Sequence, residues 1–394
     1  MTATGNTAAE DFDELHQRIV ALTPMIRAHA DDAERQRHLS NVVARAMAAQ
    51  GLYRVATPRR LNGAEAHPIA QIKTIEAISE IHGSTGWNLM IGIEVMGMLG
   101  AVYDRAVTEE LYSDPELIIS GALNPLGKAV REAGGYRVTG QWPFASGVHN
   151  AHYFWSQSVV HEGDEPLYDD QGPVFCEHMV PADQLEILDT WHVSGLKGSG
   201  SHDVRLHDVF VPDEYISHVQ RQIPVEPGTL YRLPIYSRLA YNKVGVASGI
   251  ARAAISQFVE LASEKKPRGS GNLLRDRSDA QRAVAEAQRL IGSARSYVFE
   301  SISDLWETVE AGNKPTDSQK AIVQLSCSGA ATDAVKAVET LYAAAGASAN
   351  FESCPLERSM RDVLVVRQHI MVSPQYTEAV GRVLLGLDSG TFVF

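Results

Sequence analysis

The sequence is poor in cysteine, and its cysteines are not spaced for a disulfide framework or a metal centre. The 394 residues contain three, Cys176, Cys327 and Cys354, with no CxxC pair among them. Disulfide-stabilised domains and zinc sites use paired, closely spaced cysteines, and the histidines and carboxylates do not cluster at ligand spacings either. We therefore expect buried thiols and no bound metal.

The sequence also lacks an excess of basic residues and any apolar run near the ~18 residues of a membrane span. Acidic residues number 48 against 35 Lys and Arg, a net charge of -13, which argues against nucleic-acid binding. The most apolar stretch, residues 90–99, is interrupted by Glu94 and glycines. The N-terminal segment MTATGNTAAEDFDELHQ has neither the basic start nor the apolar core of a targeting peptide. We expect a cytoplasmic protein that binds neither nucleic acid nor a membrane.

Several catalytic signatures are missing. There is no GxGxxG after a strand, no GxxxxGK[ST], no HExxH and no GxSxG. The glycine-containing segment LKGSGSHDV lacks the strand, turn and helix order of a dinucleotide-binding loop. Hydride chemistry with a nicotinamide held in a Rossmann domain is thereby disfavoured.

Apolar periodicity divides the chain into three parts. Leu15, Ile19 and Leu22 begin a helical pattern of three- and four-residue steps, and the same steps return between residues 278 and 311. Between them lie glycine-punctuated runs of β-branched and aromatic residues, such as GGYRVTGQW and HYFWSQSVV. We predict an α+β protein with an N-terminal α-helical domain (1–117), a central antiparallel β domain (118–225) and a C-terminal helical bundle (226–394).

One segment concentrates aromatic residues. GQWPFASGVHNAHYFW, residues 140–155, places two Trp, two Phe and a Tyr around a Phe-Ala-Ser-Gly core, whereas aromatics make up 7% of the chain. Phe144 and Ser146 are two residues apart, so on a strand both side chains would face one side. The segment suits contact with a large flat ligand, and a well-packed β core is the alternative interpretation.

Five segments together resemble the acyl-CoA dehydrogenase superfamily over residues 11–388. They are GLYRVATPRRLNGAEA, HGSTGW, WPFASG, DTWHVSGLKGSGSHDVRLHDVFVP and PLERSMRDVLVVRQHIMVSPQYTEAVGRVLLGLD. Within the superfamily the chain is more similar to the two-component (group D) flavin-dependent monooxygenases, the branch of p-hydroxyphenylacetate hydroxylase and dibenzothiophene monooxygenase. The resemblance implies an acyl-CoA dehydrogenase-like fold.

Two departures from the dehydrogenases support this branch. Their Thr-Glu-Pro loop is matched by GALNPLGKA, in which Asn124 replaces the glutamate. Their Tyr-Glu-Gly-Thr segment, whose glutamate removes an α-proton in many members, is matched by RQHIMVSP, which places His369 near that position.

The resemblance implies the cofactor, the reaction and the partners. Reduced flavin, expected as FMNH2 with FAD as the alternative, is supplied by a separate NAD(P)H:flavin reductase and binds between the β domain and the bundle. It reacts with O2 to a C4a-hydroperoxide, which oxidises an aromatic or heteroaromatic small molecule; C-, N- and S-oxidation remain open. The family also implies a homotetramer assembled through the C-terminal bundle.

Site residues follow from the resemblance as well. The Ser146 hydroxyl is expected beside flavin N5, Phe144 and Trp191 against the ring, and Asn124 near the reacting oxygen. Arg268 is matched to an arginine that reaches the flavin of a neighbouring subunit.

His369 is expected to be the acid or base, because an imidazole titrates near neutrality. Three roles are open to it: deprotonating a phenol, activating oxygen or protonating departing peroxide. Two other functions also remain open for the chain, an FAD-containing acyl-CoA dehydrogenase or oxidase and a non-catalytic relative.

Overall fold

The computed structural model describes residues 8–170, 172–219 and 224–391, so the first seven residues of the predicted helical domain lie outside it. Helices precede and follow a central group of strands. The N-terminal helices are α1 (Ala8–Gln36), α2 (Asn41–Ala49), α3 (Pro68–Ile81), α4 (Gly83–Val102) and α5 (Arg105–Leu111). The C-terminal helices are α6 (Thr229–Arg232), α7 (Ile235–Glu264), α8 (Ser278–Glu310), α9 (Asp317–Ala345), α10 (Pro355–Arg367) and α11 (Thr377–Leu384).

The strands lie between these two groups of helices. They are β1 (Ile119–Glu132), β2 (Gly135–Trp142), β3 (Tyr153–Glu162), β4 (Glu165–Pro166), β5 (Tyr168–Asp169), β6 (Gly172–Pro173), β7 (Phe175–Pro181), β8 (Glu186–Leu188), β9 (Asp203–Pro212) and β10 (Ile216–Ser217). In the described residues the main sheet has the order β10-β7-β3-β1-β2-β9-β8, with β4 beside β3.

The sheet is mixed, which corrects the prediction of an antiparallel β domain at one place: among the described strands, only β1 and β3 pair in parallel. β1 and β2 form a hairpin, but β3 pairs with the other side of β1 in parallel, from Ile119 opposite Tyr153 to Val130 opposite His161. The chain between β2 and β3 must therefore cross the end of β1 at which that strand begins. This crossover contains residues 143–152, the middle of the aromatic segment.

α4 is the central helix of the fold. By length and composition it could cross a membrane, but nearly all of its residues are buried inside the protein. It packs against α3, α7 and β1, and glycines permit the close approach: a Cβ at Gly86 would lie 1.9 Å from Ser79 Oγ. We interpret α4 as a buried core helix that packs against the sheet at β1.

The C-terminal helices form the predicted bundle. α7 packs against α8, α9 and α10, and also against α3 of the N-terminal domain. The periodic apolar positions of α8 point inward, with Val298, Ile302 and Leu305 almost completely buried.

The cysteines are free thiols; Cys176 and Cys327 are buried as predicted, whereas Cys354 is only partly buried.

Candidate active site

The segment that carries Phe144 and Ser146 is a turn, which corrects the assumption that it is a strand. β2 ends at Trp142, Phe144 has a left-handed backbone (φ +64°), and a short 3-10 helix follows at Val148–Asn150. Strand alternation does not apply there, so the two side chains face different surroundings: Phe144 is 62% exposed and Ser146 is 4% exposed. A bulky residue with positive φ is uncommon and is found mainly where the surrounding structure imposes it.

Two hydrogen bonds and one glycine hold the conformation of this turn. The Ser120 hydroxyl donates to the Ser146 carbonyl oxygen (2.6 Å), and the Gly147 backbone N–H donates to the Ser199 carbonyl (3.0 Å). Gly147 is also left-handed (φ +76°), and a Cβ at this position would lie 2.8 Å from Asn88 Oδ1. Glycine is therefore required next to Ser146 for both backbone and steric reasons.

Ser146 is joined to α4 by its side chain. The Trp87 indole N–H, near the start of α4, donates to Ser146 Oγ over 3.0 Å, and Ser201 Oγ lies 2.7 Å from the same atom. Ser201 Oγ is in turn 2.7 Å from Ser199 Oγ. Trp87 and the two serines belong to the segments HGSTGW and LKGSGSHDV. The sequence alone assigns no role in the site to these three residues.

His369 also contacts Trp87. It follows α10 and caps the short 3-10 helix Ile370–Val372, and its ring centroid is 5.5 Å from that of Trp87 in an edge-to-face arrangement. Ser146 comes from the sheet crossover, Trp87 from the N-terminal helices and His369 from the C-terminal bundle. The fold thus gathers these three side chains at the junction of its three parts.

The hydrogen bonding and charge around His369 define its protonation. Its Nδ1 accepts a hydrogen bond from the Met371 backbone N–H over 3.2 Å. Burial and the positive charge of Lys243 hold the pKa of His369 well below its ordinary value of 6.5. At neutral pH the ring is therefore neutral, and since Nδ1 is the acceptor, the proton is on Nε2.

Lys243 belongs to a buried ion pair that the sequence did not reveal. Its Nζ lies 2.5 Å from Glu94 Oε2, with 2% and 5% of the two side chains exposed. Burial raises the pKa of Glu94 and lowers the pKa of Lys243, and the attraction between them opposes both changes. The partners are 149 residues apart, one on α4 and one on α7, so no local pattern connects them.

Phe144 and Trp191 form an aromatic pair at the turn. Their ring centroids are 6.2 Å apart and nearly perpendicular, at 88°. The Trp191 indole N–H donates to the Leu196 carbonyl (3.1 Å), and its backbone N–H donates to Nδ1 of the buried His202 (3.2 Å). These two hydrogen bonds hold Trp191 in position next to the Phe144 ring.

Asn124 and Arg268 do not join this group. Asn124 is exposed in a bulged part of β1, where pairing with β3 shifts register between Ala122 and Pro125, so it does not lie in a loop as expected. Arg268 is exposed in the connection between α7 and α8. Within the described residues neither hydrogen-bonds to Ser146, Trp87 or His369, and their proposed roles stay predictions.

The residues at this junction fit a flavin ring. Phe144 and Trp191 offer apolar aromatic surface to a flat group, and Phe144 leaves most of its surface uncovered. Nε2 of His369 has no hydrogen-bond partner among the described residues, so its N–H is free to donate. Aromatic surface beside a few convergent polar groups is typical of a cofactor site.

The chain as a whole is similar to several known proteins. A family profile described as "Acyl-CoA dehydrogenase, C-terminal domain" matches residues 243–374. Indole-3-acetate monooxygenase from Pseudomonas putida is 31% identical over 360 residues, covering 91% of this chain and 90% of the relative. The oxygenase subunit HsaA of a flavin-dependent monooxygenase from Mycobacterium tuberculosis is 26% identical, covering 94% of each chain. The structure of XiaF from Streptomyces sp., in complex with FADH2 and glycerol, has a TM-score of 0.88 at 24% identity and covers 98% of both chains, which shows the shared fold.

Proposed function

Because the chain belongs to the flavin-dependent monooxygenases with an acyl-CoA dehydrogenase fold, we propose that it is the oxygenase component of a two-component system acting on an aromatic small molecule. The observation that carries the proposal is that Trp87 contacts both Ser146 and His369, while Phe144, two residues before Ser146, pairs with Trp191. The relative HsaA is an oxygenase subunit, which supports a separate NAD(P)H:flavin reductase as the partner of this chain. Another relative is an indole-3-acetate monooxygenase, which supports an aromatic substrate for this chain.

Four residues would hold the cofactor. Phe144 and Trp191 would pack against the isoalloxazine, and the Ser146 hydroxyl and His369 N–H would donate hydrogen bonds at its reacting edge. Reduced flavin bound there supplies the electrons that activate O2 for transfer of one oxygen atom to the substrate. Reduced FMN remains our prediction; FAD carries the same ring, so both are included in the tests.

The geometry around His369 argues against one of its three possible roles. A base needs a ring nitrogen with a free lone pair, but Nδ1 is engaged by the Met371 N–H and Nε2 carries the proton. We therefore assign His369 as a neutral hydrogen-bond donor to oxygen or substrate. Deprotonation of a phenol by this residue is disfavoured.

The dehydrogenase alternative requires a carboxylate that is free to remove a proton. Glu94, on α4, is buried and engaged by Lys243, and His369 stands where the resemblance puts the dehydrogenase glutamate. Both observations support oxygenation over dehydrogenation.

The function is tested by supplying reduced flavin from outside the protein. Purified protein is mixed anaerobically with photoreduced FMN or FAD, then with 18O2 and a panel that includes indole-3-acetate, phenols and heteroaromatics. We expect one 18O atom in a product identified by mass spectrometry, and none when the flavin is left oxidised. If neither redox state of either flavin binds and no compound is oxidised, the proposal is wrong.

Ser146→Ala is predicted to uncouple the reaction. Without its hydroxyl the site loses a hydrogen bond at the cofactor, so the share of consumed O2 released as H2O2 should rise several-fold while product falls. Peroxide and product are measured in the same reaction. Ser301→Ala, another buried serine located in the C-terminal bundle, is the control and should leave the ratio unchanged.

Assembly and location remain part of the proposal. We propose a cytoplasmic homotetramer in which Arg268 reaches the flavin of a neighbouring subunit. Light scattering checks the oligomeric state, and Arg268→Ala should weaken flavin binding only if the assembled form is present.

A further inference from the structure

A line of three serine hydroxyls runs from Ser146 into the interior of the protein. Ser146 Oγ and Ser201 Oγ are 2.7 Å apart, and Ser201 Oγ and Ser199 Oγ are also 2.7 Å apart. Ser201 is almost completely buried and Ser199 is inaccessible to solvent. At these distances each neighbouring pair shares a hydrogen bond, whose direction depends on which hydroxyl donates.

Burial determines that direction. The hydroxyl of Ser199 has one described partner, Ser201 Oγ, so its proton must be donated there or remain buried without an acceptor, which is costly. Ser201 then accepts from Ser199 and has one other described partner, Ser146. Its own proton is then donated to Ser146 Oγ. Either direction leaves one hydroxyl proton without a described acceptor, and this costs less at Ser146, which is 4% exposed, than at the inaccessible Ser199.

Trp87 completes the set of donors around Ser146. An indole N–H can only donate, and Trp87 donates to Ser146 Oγ over 3.0 Å. Both lone pairs of that oxygen are then occupied, one by Trp87 and one by Ser201. The Ser146 proton has no acceptor among the described residues and is free for a ligand.

We propose that Ser201 and Trp87 are positioning residues that keep the Ser146 hydroxyl as a hydrogen-bond donor toward the cofactor. The proposal rests on the proposed function for the identity of the ligand, but the direction of the hydroxyl chain is a property of the protein alone. The two parts are therefore tested separately.

The direction of the chain is tested without flavin. In protein labelled with 15N-tryptophan, the indole resonance of Trp87 is assigned by its loss in Trp87→Phe. Two donors at one oxygen weaken each other, whereas donation by that oxygen strengthens its acceptance of a further bond. Ser201→Ala should therefore strengthen the Trp87 bond and move its indole proton downfield. An upfield shift would mean that Ser146 donates to Ser201, and would overturn the proposal.

Ser199→Ala is the matched control, since it removes an equally buried hydroxyl from the same segment. Ser201 would still have Ser146 as its described acceptor, so the direction is kept and the Trp87 resonance should move less than in Ser201→Ala. Ser201→Thr restores a hydroxyl and should return the resonance toward its original position. A larger shift in Ser199→Ala than in Ser201→Ala contradicts the proposed order.

The consequence for the cofactor is tested by equilibrium binding of oxidised FMN and FAD. The oxidised ring is used because its N5 accepts a hydrogen bond, whereas N5 of the reduced ring carries a hydrogen. Ser201→Ala should weaken binding by about 3–10-fold, the range expected for one misdirected hydrogen bond, and Ser201→Thr should restore it. Unchanged affinity in Ser201→Ala would overturn the positioning role. If the unsubstituted protein binds neither flavin in either redox state, the proposed function fails, and the indole shift still decides the direction of the chain.

Discussion

Replacement of His369 by alanine is expected to lower the rate of product formation by about 10²–10³-fold, the usual effect of removing one oriented donor from a water-poor active site. The reason is geometric: Nδ1 is held by the Met371 N–H, so Nε2–H is a fixed donor that alanine lacks. The rate is measured in single turnovers with reduced flavin already bound, so that flavin delivery does not limit it.

His369→Gln provides the control for this prediction. A glutamine side chain keeps an N–H donor but cannot titrate, so it should recover a substantial part of the activity lost in His369→Ala. If the glutamine variant is as inactive as the alanine variant, hydrogen-bond donation does not account for the role of His369.

The pH profile distinguishes a donor from an acid or base. Because burial and Lys243 hold the pKa of His369 well below 6.5, the ring stays neutral throughout pH 6–8. We expect no ionisation in this range that disappears in His369→Gln. An ionisation near pH 7 that is lost in that variant would show that His369 titrates during the reaction.

Lys243→Met is expected to lower the free energy of unfolding by about 3–5 kcal/mol, the cost of leaving one partner of a buried ion pair alone. The Glu94 carboxylate would remain in the interior with Oε1 already unpaired, and it would lose its contact to Nζ. Thermal unfolding at pH 7 measures the loss. It should become smaller as the pH is lowered, because burial raises the pKa of Glu94 and a protonated carboxyl no longer needs a cation.

The double variant Glu94→Gln/Lys243→Met tests the same explanation. Removing both charges should recover most of the stability lost in Lys243→Met, since two neutral side chains of similar volume leave no buried charge. The ion pair also affects the pKa of His369. Without the positive charge of Lys243 this pKa should rise toward 6.5, although burial still lowers it. NMR would show the imidazole titrating at a higher pH than in the unsubstituted protein. Equal stability of Lys243→Met and the unsubstituted protein would show that the pair contributes little.

Sequence periodicity was sufficient to predict the order of the three parts, because periodicity depends only on neighbouring residues. The three- and four-residue steps of α8 required only that one face be buried, and Val298, Ile302 and Leu305 are buried as predicted. The same local reasoning failed at Phe144 and Ser146. There the chain leaves β2 and crosses the end of β1 at which that strand begins. The parallel pairing of β1 with β3, which causes this crossing, joins strands distant in sequence.

By itself, the sequence determined the α+β organisation and the resemblance to flavin-dependent monooxygenases, and it led to the prediction that Ser146, Trp191 and His369 belong to the site. Only the tertiary structure decided how these residues are protonated and oriented. Trp87, Ser201, Glu94 and Lys243 come from separate helices and loops, and their effects depend on hydrogen bonds and charges across the packed interior. Such interactions depend on distance in space, which residue spacing along the chain does not specify.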